Sequence, residues 1–292
     1  MNQNYIKTIS FTVFALLAFA GNSVLCRIAL GENLIDSASF TVIRLLSGII
    51  ILFLILMLKP KAINKKNHIK KNGSWLAAIM LFIYAICFSL GYIILDTGIG
   101  ALILFASVQI SMLIANLVKG NKLHYSEWLG LSISFIGFIY LILPTLSTPS
   151  ISGIIFMILS GIAWAFYTLF GRNSKDPLSD TAFNFLRTIP FLVIVLTVSF
   201  KDVHLTNQGI LLAILSGAIA SGLGYTIWYI ALNGLSVSQA AVVQLGVPII
   251  AAIGGVIFAN EIITQRLVLS SSVVLGGILL VILGKQYLIK KA

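Results

Sequence analysis

Five polar side chains, Asn22, Arg44, Gln109, Arg187 and Gln244, stand inside long apolar stretches, where charged and hydrogen-bonding groups are expensive and need a reason. Arg44 and Arg187 each lie about seven residues into their stretch, hence about 10 Å deep at the helical rise of 1.5 Å. A guanidinium at that depth suits an anionic or carboxylate-bearing ligand. It equally suits a structural tie, snorkelling to the interface or bonding backbone carbonyls, and its occurrence in both halves of the chain favours the tie. Gln244 and Pro248 are four apart and share a helix face. The proline deprives the Gln244 carbonyl of its helical donor and so opens it to a ligand. The competing reading for Asn22, Gln109 and Gln244 is an interhelical hydrogen bond, worth roughly 0.6 kcal/mol.

Aromatic residues stand near these groups. Tyr84, Phe88 and Tyr92 are spaced by four, and Trp164 and Tyr167 by three, in mid-stretch. Aromatic walls with a few polar groups bind organic solutes. Trp228 and Tyr229 fall near a stretch end, where such residues commonly mark the membrane interface. Catalytic patterns are missing. His68, His124 and His204 all fall in loops without metal-ligand spacing, and neither H-E-x-x-H nor G-x-S-x-G occurs. Asp96 and Glu261 sit at stretch ends, and no carboxylate lies in mid-stretch to serve a proton relay. The chemistry on offer is binding. No cofactor and no metal is implied.

The elements that position these groups must cross a bilayer. Of 292 residues, 59% are apolar and 9% charged, with a mean hydropathy of +1.06. Soluble domains run at about 45–50% apolar and about 25% charged, so a soluble enzyme, a nucleic-acid-binding domain and a disordered chain are excluded. Stretches able to span a core of about 30 Å are Thr8–Leu30, Ser37–Leu58, Gly73–Leu95, Thr97–Val118, Trp128–Leu143, Ser152–Gly171, Thr181–Phe200, Gly209–Leu232, Ser238–Ala259 and Leu267–Gly284. The first has no small-residue cleavage pattern at its end and reads as a retained helix. Pro144 to Ser150 and Asn233-Gly234 are uncharged breaks. With ten spans, fourteen Lys and Arg, including the run Lys59–Lys71, fall on the side of both termini, and only Lys201 and Arg266 fall opposite. Both termini are therefore expected in the cytoplasm. The net charge of +11 sets topology and serves no nucleic acid. Cys26 and Cys87 lie in apolar runs and read as buried thiols.

Residues 101–143 laid on 240–282 give nine identities without a gap, among them Val108/Val247, Asn121/Asn260 and Gly137/Gly276. The motif Phe40-Thr41-Val42-Ile43-Arg44 recurs as Phe183-Asn184-Phe185-Leu186-Arg187. Five spans per half is an odd number, so the second half enters the membrane from the other side, an inverted repeat. Phe19-Ala20-Gly21-Asn22-Ser23, Ala163-Trp164-Ala165-Phe166-Tyr167, Val247-Pro248-Ile249 and Glu261 resemble motifs of the drug/metabolite transporter superfamily, specifically its EamA-type members. Ala20 replaces the usual Trp, Gln109 takes the proline position of the first half, and Lys122 takes its glutamate position. The resemblance covers the whole chain and implies a carrier of small metabolites with a central cavity between halves.

The expectation is an all-α integral membrane protein of ten transmembrane helices, arranged as two inverted five-helix repeats, 1–144 and 151–292, around a central cavity. It would be a secondary transporter, an exporter, of a small organic metabolite such as an amino acid, working by alternating access in the cytoplasmic membrane. Asn22, Arg44, Tyr84, Phe88, Gln109, Trp164, Tyr167, Arg187, Gln244 and Pro248 are the candidate cavity residues. The bilayer and a small-molecule substrate are the partners, and a homodimer is compatible with the sequence. The alternatives are a membrane scaffold or receptor without transport, and an intramembrane enzyme.

Overall fold

A computed structural model describes residues 3–58, 72–120, 124–142, 150–172 and 174–262, together with positions 265, 266, 268–270, 272–274, 276, 277 and 280. The run Lys59–Lys71, the break at Pro144, Asn121, Lys122 and half of the tenth expected span lie outside these residues. The described chain is helical: α1 Gln3–Gly31, α2 Ser37–Leu58, α3 Trp75–Tyr92, α4 Thr97–Val118, α5 Tyr125–Ile142, α6 Ile151–Gly171, α7 Pro177–Leu186, α8 Ile189–Val198, α9 Asn207–Leu215, α10 Gly224–Leu232, α11 Val237–Val243 and α12 Gly246–Phe258. A π-helical segment, Ser216–Leu223, joins α9 to α10 without a turn. Eight helical stretches among the described residues are long and apolar enough to cross a membrane.

Local chemistry sets the helix ends. Ser74, Asp176 and Thr206 accept hydrogen bonds from backbone N–H groups three residues on, and Ser236 forms a capping box with Gln239. After α1, Asn33 takes φ 54°, the Leu34 N–H donates to the Ala29 carbonyl at 2.9 Å and the Asn33 N–H to Leu30 at 3.1 Å. This C-terminal closure turns the chain back within a few residues. Two spans are broken by proline. Pro190 separates α7 from α8 at Arg187-Thr188, and Pro248 separates α11 from α12 at Gln244-Leu245.

Helix α6 packs between α3 and α4, while α1 runs against α10, α12 and the π-helical segment. The buried core draws on α1, α2, α3, α4, α6 and α10. Large apolar side chains such as Phe14, Ile50, Leu54, Val193, Ile219 and Ile257 are exposed, a skin that hydrocarbon, and not water, would solvate.

Several links join the first half of the chain to the second. The segment around Ile35 pairs with Leu205, and the Asp36 N–H donates to the His204 carbonyl at 3.0 Å. At the start of α4, Glu261 Oε1 accepts from the Thr97 N–H at 2.9 Å and from its hydroxyl at 2.7 Å. Past the far end of α4, Ser238 Oγ donates to Glu127 Oε1 at 2.6 Å, and Glu127 Oε2 accepts from the His124 N–H at 2.8 Å. The last two links each join a carboxylate of one half to the beginning of a helix in the other.

Candidate functional site

Arg44 lies on the face of α2 that meets the π-helical segment, and its side chain is fully buried. Its Nε donates to Ser221 Oγ at 3.0 Å. Its Nη2 donates to Tyr84 Oη at 3.0 Å and to Tyr225 Oη at 2.7 Å. The guanidinium carbon stands 4.9 Å from the Phe88 ring centroid and 5.2 Å from that of Tyr84, a cation–π arrangement. Tyr225 Oη lies 3.0 Å from Tyr84 Oη, Asn22 Nδ2 donates to Tyr84 Oη at 3.2 Å, and Ser216 Oγ donates to Asn22 Oδ1 at 2.5 Å. Four elements, α1, α2, α3 and the π-to-α10 stretch, thus meet at one guanidinium and one phenol.

Trp164 of α6 closes the other side of the cluster. Its ring centroid is 4.6 Å from Tyr225, 4.9 Å from Tyr84 and 5.1 Å from Phe19. The indole Nε1 donates to Gln244 Oε1 at 2.7 Å, and Gln244 Nε2 donates to the Ala240 carbonyl at 2.9 Å. Tyr167, one turn on, stacks at 5.5 Å from Trp164 and 5.3 Å from Tyr229. Beyond Tyr229 a cavity of about 470 Å³ opens among the starts of α3 and α7 and the end of α6, lined by Asn72, Ser74, Asp180, Asn184 and Tyr229 among others. A file of rings, Tyr229, Tyr167, Tyr225 and Trp164, separates it from Arg44.

Among the described residues, four buried side-chain polar atoms have no hydrogen-bond partner: Arg44 Nη1, both amide atoms of Gln109, and Tyr167 Oη. Buried polar atoms are paired in the large majority of cases, and each exception calls for an explanation.

Seven of the ten candidate residues, Asn22, Arg44, Tyr84, Phe88, Trp164, Tyr167 and Gln244, are brought together. Gln109 is buried on α4, one turn before Met112, whose sulfur lies 3.6 Å from Gln244 Nε2. The expected hollow is closed here, because the rings interlock and each of these side chains is 5% exposed or less. Three expectations need correction. Arg187 is not in the cluster: its Nη1 donates to the Asn72 carbonyl at 2.7 Å and to the Phe183 carbonyl at 3.1 Å, tying α7 to the start of α3. The Gln244 carbonyl is not open to a ligand, because the Val247 N–H reaches it at 3.0 Å when the helix tightens ahead of Pro248. Trp228 and Tyr229 are not interfacial: both are fully buried, Trp228 Nε1 donating to Thr168 Oγ1 at 3.3 Å and Tyr229 Oη to the Tyr167 carbonyl at 3.1 Å.

Ser216, Ser221 and Tyr225 were missed as site residues. In an α-helix, residues five apart point apart. In a helix bonded i to i+5 they come close to one face, and this places Ser216 and Ser221 together. Their run, Ser216-Gly217-Ala218-Ile219-Ala220-Ser221-Gly222, is rich in small residues, a composition common to close helix packing.

The profile of the EamA-like transporter family matches residues 6–143 and again 151–283. An uncharacterized protein of Pseudomonas aeruginosa is 44% identical over 276 residues, covering 94% of each chain. An uncharacterized transporter of Archaeoglobus fulgidus is 26% identical over 238 residues, 79% of this chain and 83% of its own. A protein of known crystal structure superposes with a TM-score of 0.69 over 93% of this chain and 97% of its own, at 13% identity, a likeness of fold. A bundle of apolar helices closed around a polar and aromatic centre, matched twice by one transporter profile, is what a multi-pass carrier of small molecules requires, and this chain belongs to the EamA-like transporter family.

Proposed function

We propose that this membrane transporter is a secondary carrier that exports a small organic metabolite, such as an amino acid or a related compound, across the cytoplasmic membrane by alternating access. The observation that carries the reading is a set of buried polar atoms, on Arg44, Gln109 and Tyr167, that have no hydrogen-bond partner among the described residues. A helix bundle stabilised only for its own sake has no use for them, whereas a solute completes them.

The architecture of the proposal is ten spans in two inverted halves, 1–144 and 151–292, with both termini cytoplasmic. The two separate profile matches, the nine-identity internal match and the excess of Lys and Arg on one side support it. In that topology the Thr97–Glu261 link lies on the outer face and the Glu127–Ser238 link on the inner face. Both links are made here. Opening to one side breaks one link and keeps the other, which is the requirement of alternating access.

The test is solute flux in proteoliposomes, with a T97C/E261C variant joined by a short bifunctional thiol reagent. Flux of an organic solute that stops on joining and returns with a cleavable reagent supports the reading. No flux across a broad metabolite panel overturns it.

A further inference from the structure

We propose that the Arg44 centre recognises a carboxylate, so that the solute is a monoanionic organic acid group carried on a largely apolar body. The inference rests on the carrier reading above and narrows its substrate class.

The argument is a count of donors and charges. Arg44 offers five N–H bonds and no acceptor. Nε and Nη2 are engaged with Ser221, Tyr84 and Tyr225, while Nη1 has no partner among the described residues. Tyr84 Oη already faces three donor groups, Asn22 Nδ2, Arg44 Nη2 and the Tyr225 hydroxyl, more than a phenol oxygen has lone pairs for. The centre is therefore rich in donors and short of acceptors. It also carries an unanswered positive charge: the ion pair found among the described residues, Arg27–Asp96 at 2.9 Å, lies elsewhere. A buried charge without a partner is costly in a protein interior. One carboxylate supplies two oxygens that accept side by side from a guanidinium, and a single negative charge. A phosphate dianion would leave a net negative charge buried among rings. The walls, Phe19, Phe88 and Trp164, are apolar and suit a hydrocarbon or aromatic remainder.

The experiment titrates the purified full-length protein in detergent, reading tryptophan fluorescence and thermal stability, with matched pairs: phenylacetate against phenylacetamide, isovalerate against isovaleramide, and sodium chloride as the inorganic control. The carboxylate of a pair is expected to bind at least about tenfold more tightly than its amide, the value of a charge-assisted bond. R44Q abolishes that preference and R44K keeps part of it. Should R44Q fail to fold, Y225F, which frees the Arg44 Nη2 N–H that the Tyr225 hydroxyl accepts, tightens the carboxylate more than the amide. Equal binding of acid and amide, a preference that survives in R44Q, an unchanged preference in Y225F, or chloride reproducing the carboxylate effect overturns the assignment. Flux of neutral or cationic solutes without acid preference sinks the carboxylate alone and leaves the carrier. Silence toward all solutes in both binding and flux sinks the carrier reading with it.

Discussion

At the scale of single residues, the most telling group is Gln109, an amide buried completely with neither of its polar atoms bonded among the described residues. A side chain that only stabilised the bundle would be better apolar. Replacing an unpaired buried amide by a similar-sized hydrocarbon removes its desolvation cost, about 1–3 kcal/mol. Q109L is therefore expected to melt no lower than the parent in detergent, and higher if the full cost is recovered, while solute flux falls. A variant that loses stability and keeps transport would make Gln109 a packing residue. The sequence marked this position, since a glutamine in an apolar run is conspicuous. It also marked Arg44 and Arg187 as a matched pair whose doubling favours a structural tie, and Arg187 makes such a tie to backbone carbonyls. Equivalent positions in two halves need not face the same space: Arg44 turns to the phenols, whereas Arg187 turns back along α7 to carbonyl groups.

At the scale of elements, the beginnings of helices are completed across the molecule. Thr97 opens α4, and its N–H is satisfied by Glu261, which Asn260, at φ 52°, swings back after α12. Helix caps contribute about 0.5–2 kcal/mol. E261A is expected to lower the apparent Tm by several degrees, with E261Q retaining most of the stability because its carbonyl oxygen still accepts from Thr97. Equal melting of E261A and wild type would show that water replaces the cap. Eight span positions were legible because burying a backbone in hydrocarbon demands helix and an apolar run is unmistakable. Interruptions within spans were less so. Pro248 announced one of them, whereas the run Thr181–Phe200 reads as one span across Pro190, and the tightened turn that satisfies the Gln244 carbonyl is a response of the backbone that side-chain identity does not spell out. The burial of Trp228 and Tyr229 was equally hidden, since position along a helix says little about which neighbour covers it.

At the scale of the whole molecule, the apolar exterior and the polar centre are two halves of one solution: outward side chains dissolve in lipid, and inward ones hydrogen-bond to each other. The π-helical stretch Ser216–Leu223 adds a property of the chain as a string. It holds a spare residue relative to α-helical winding. Excising Ile219, a lipid-facing position, would let the stretch rewind as ordinary α-helix with α9 and α10 left in place. Excising Ile50 from α2 would instead turn every later residue of that helix by about 100°. Expression and melting should survive the first deletion and not the second; collapse after both would mean that the extra loop of backbone is itself indispensable. If it is dispensable, this chain carries a built-in allowance for losing a codon in the wall of its own polar centre.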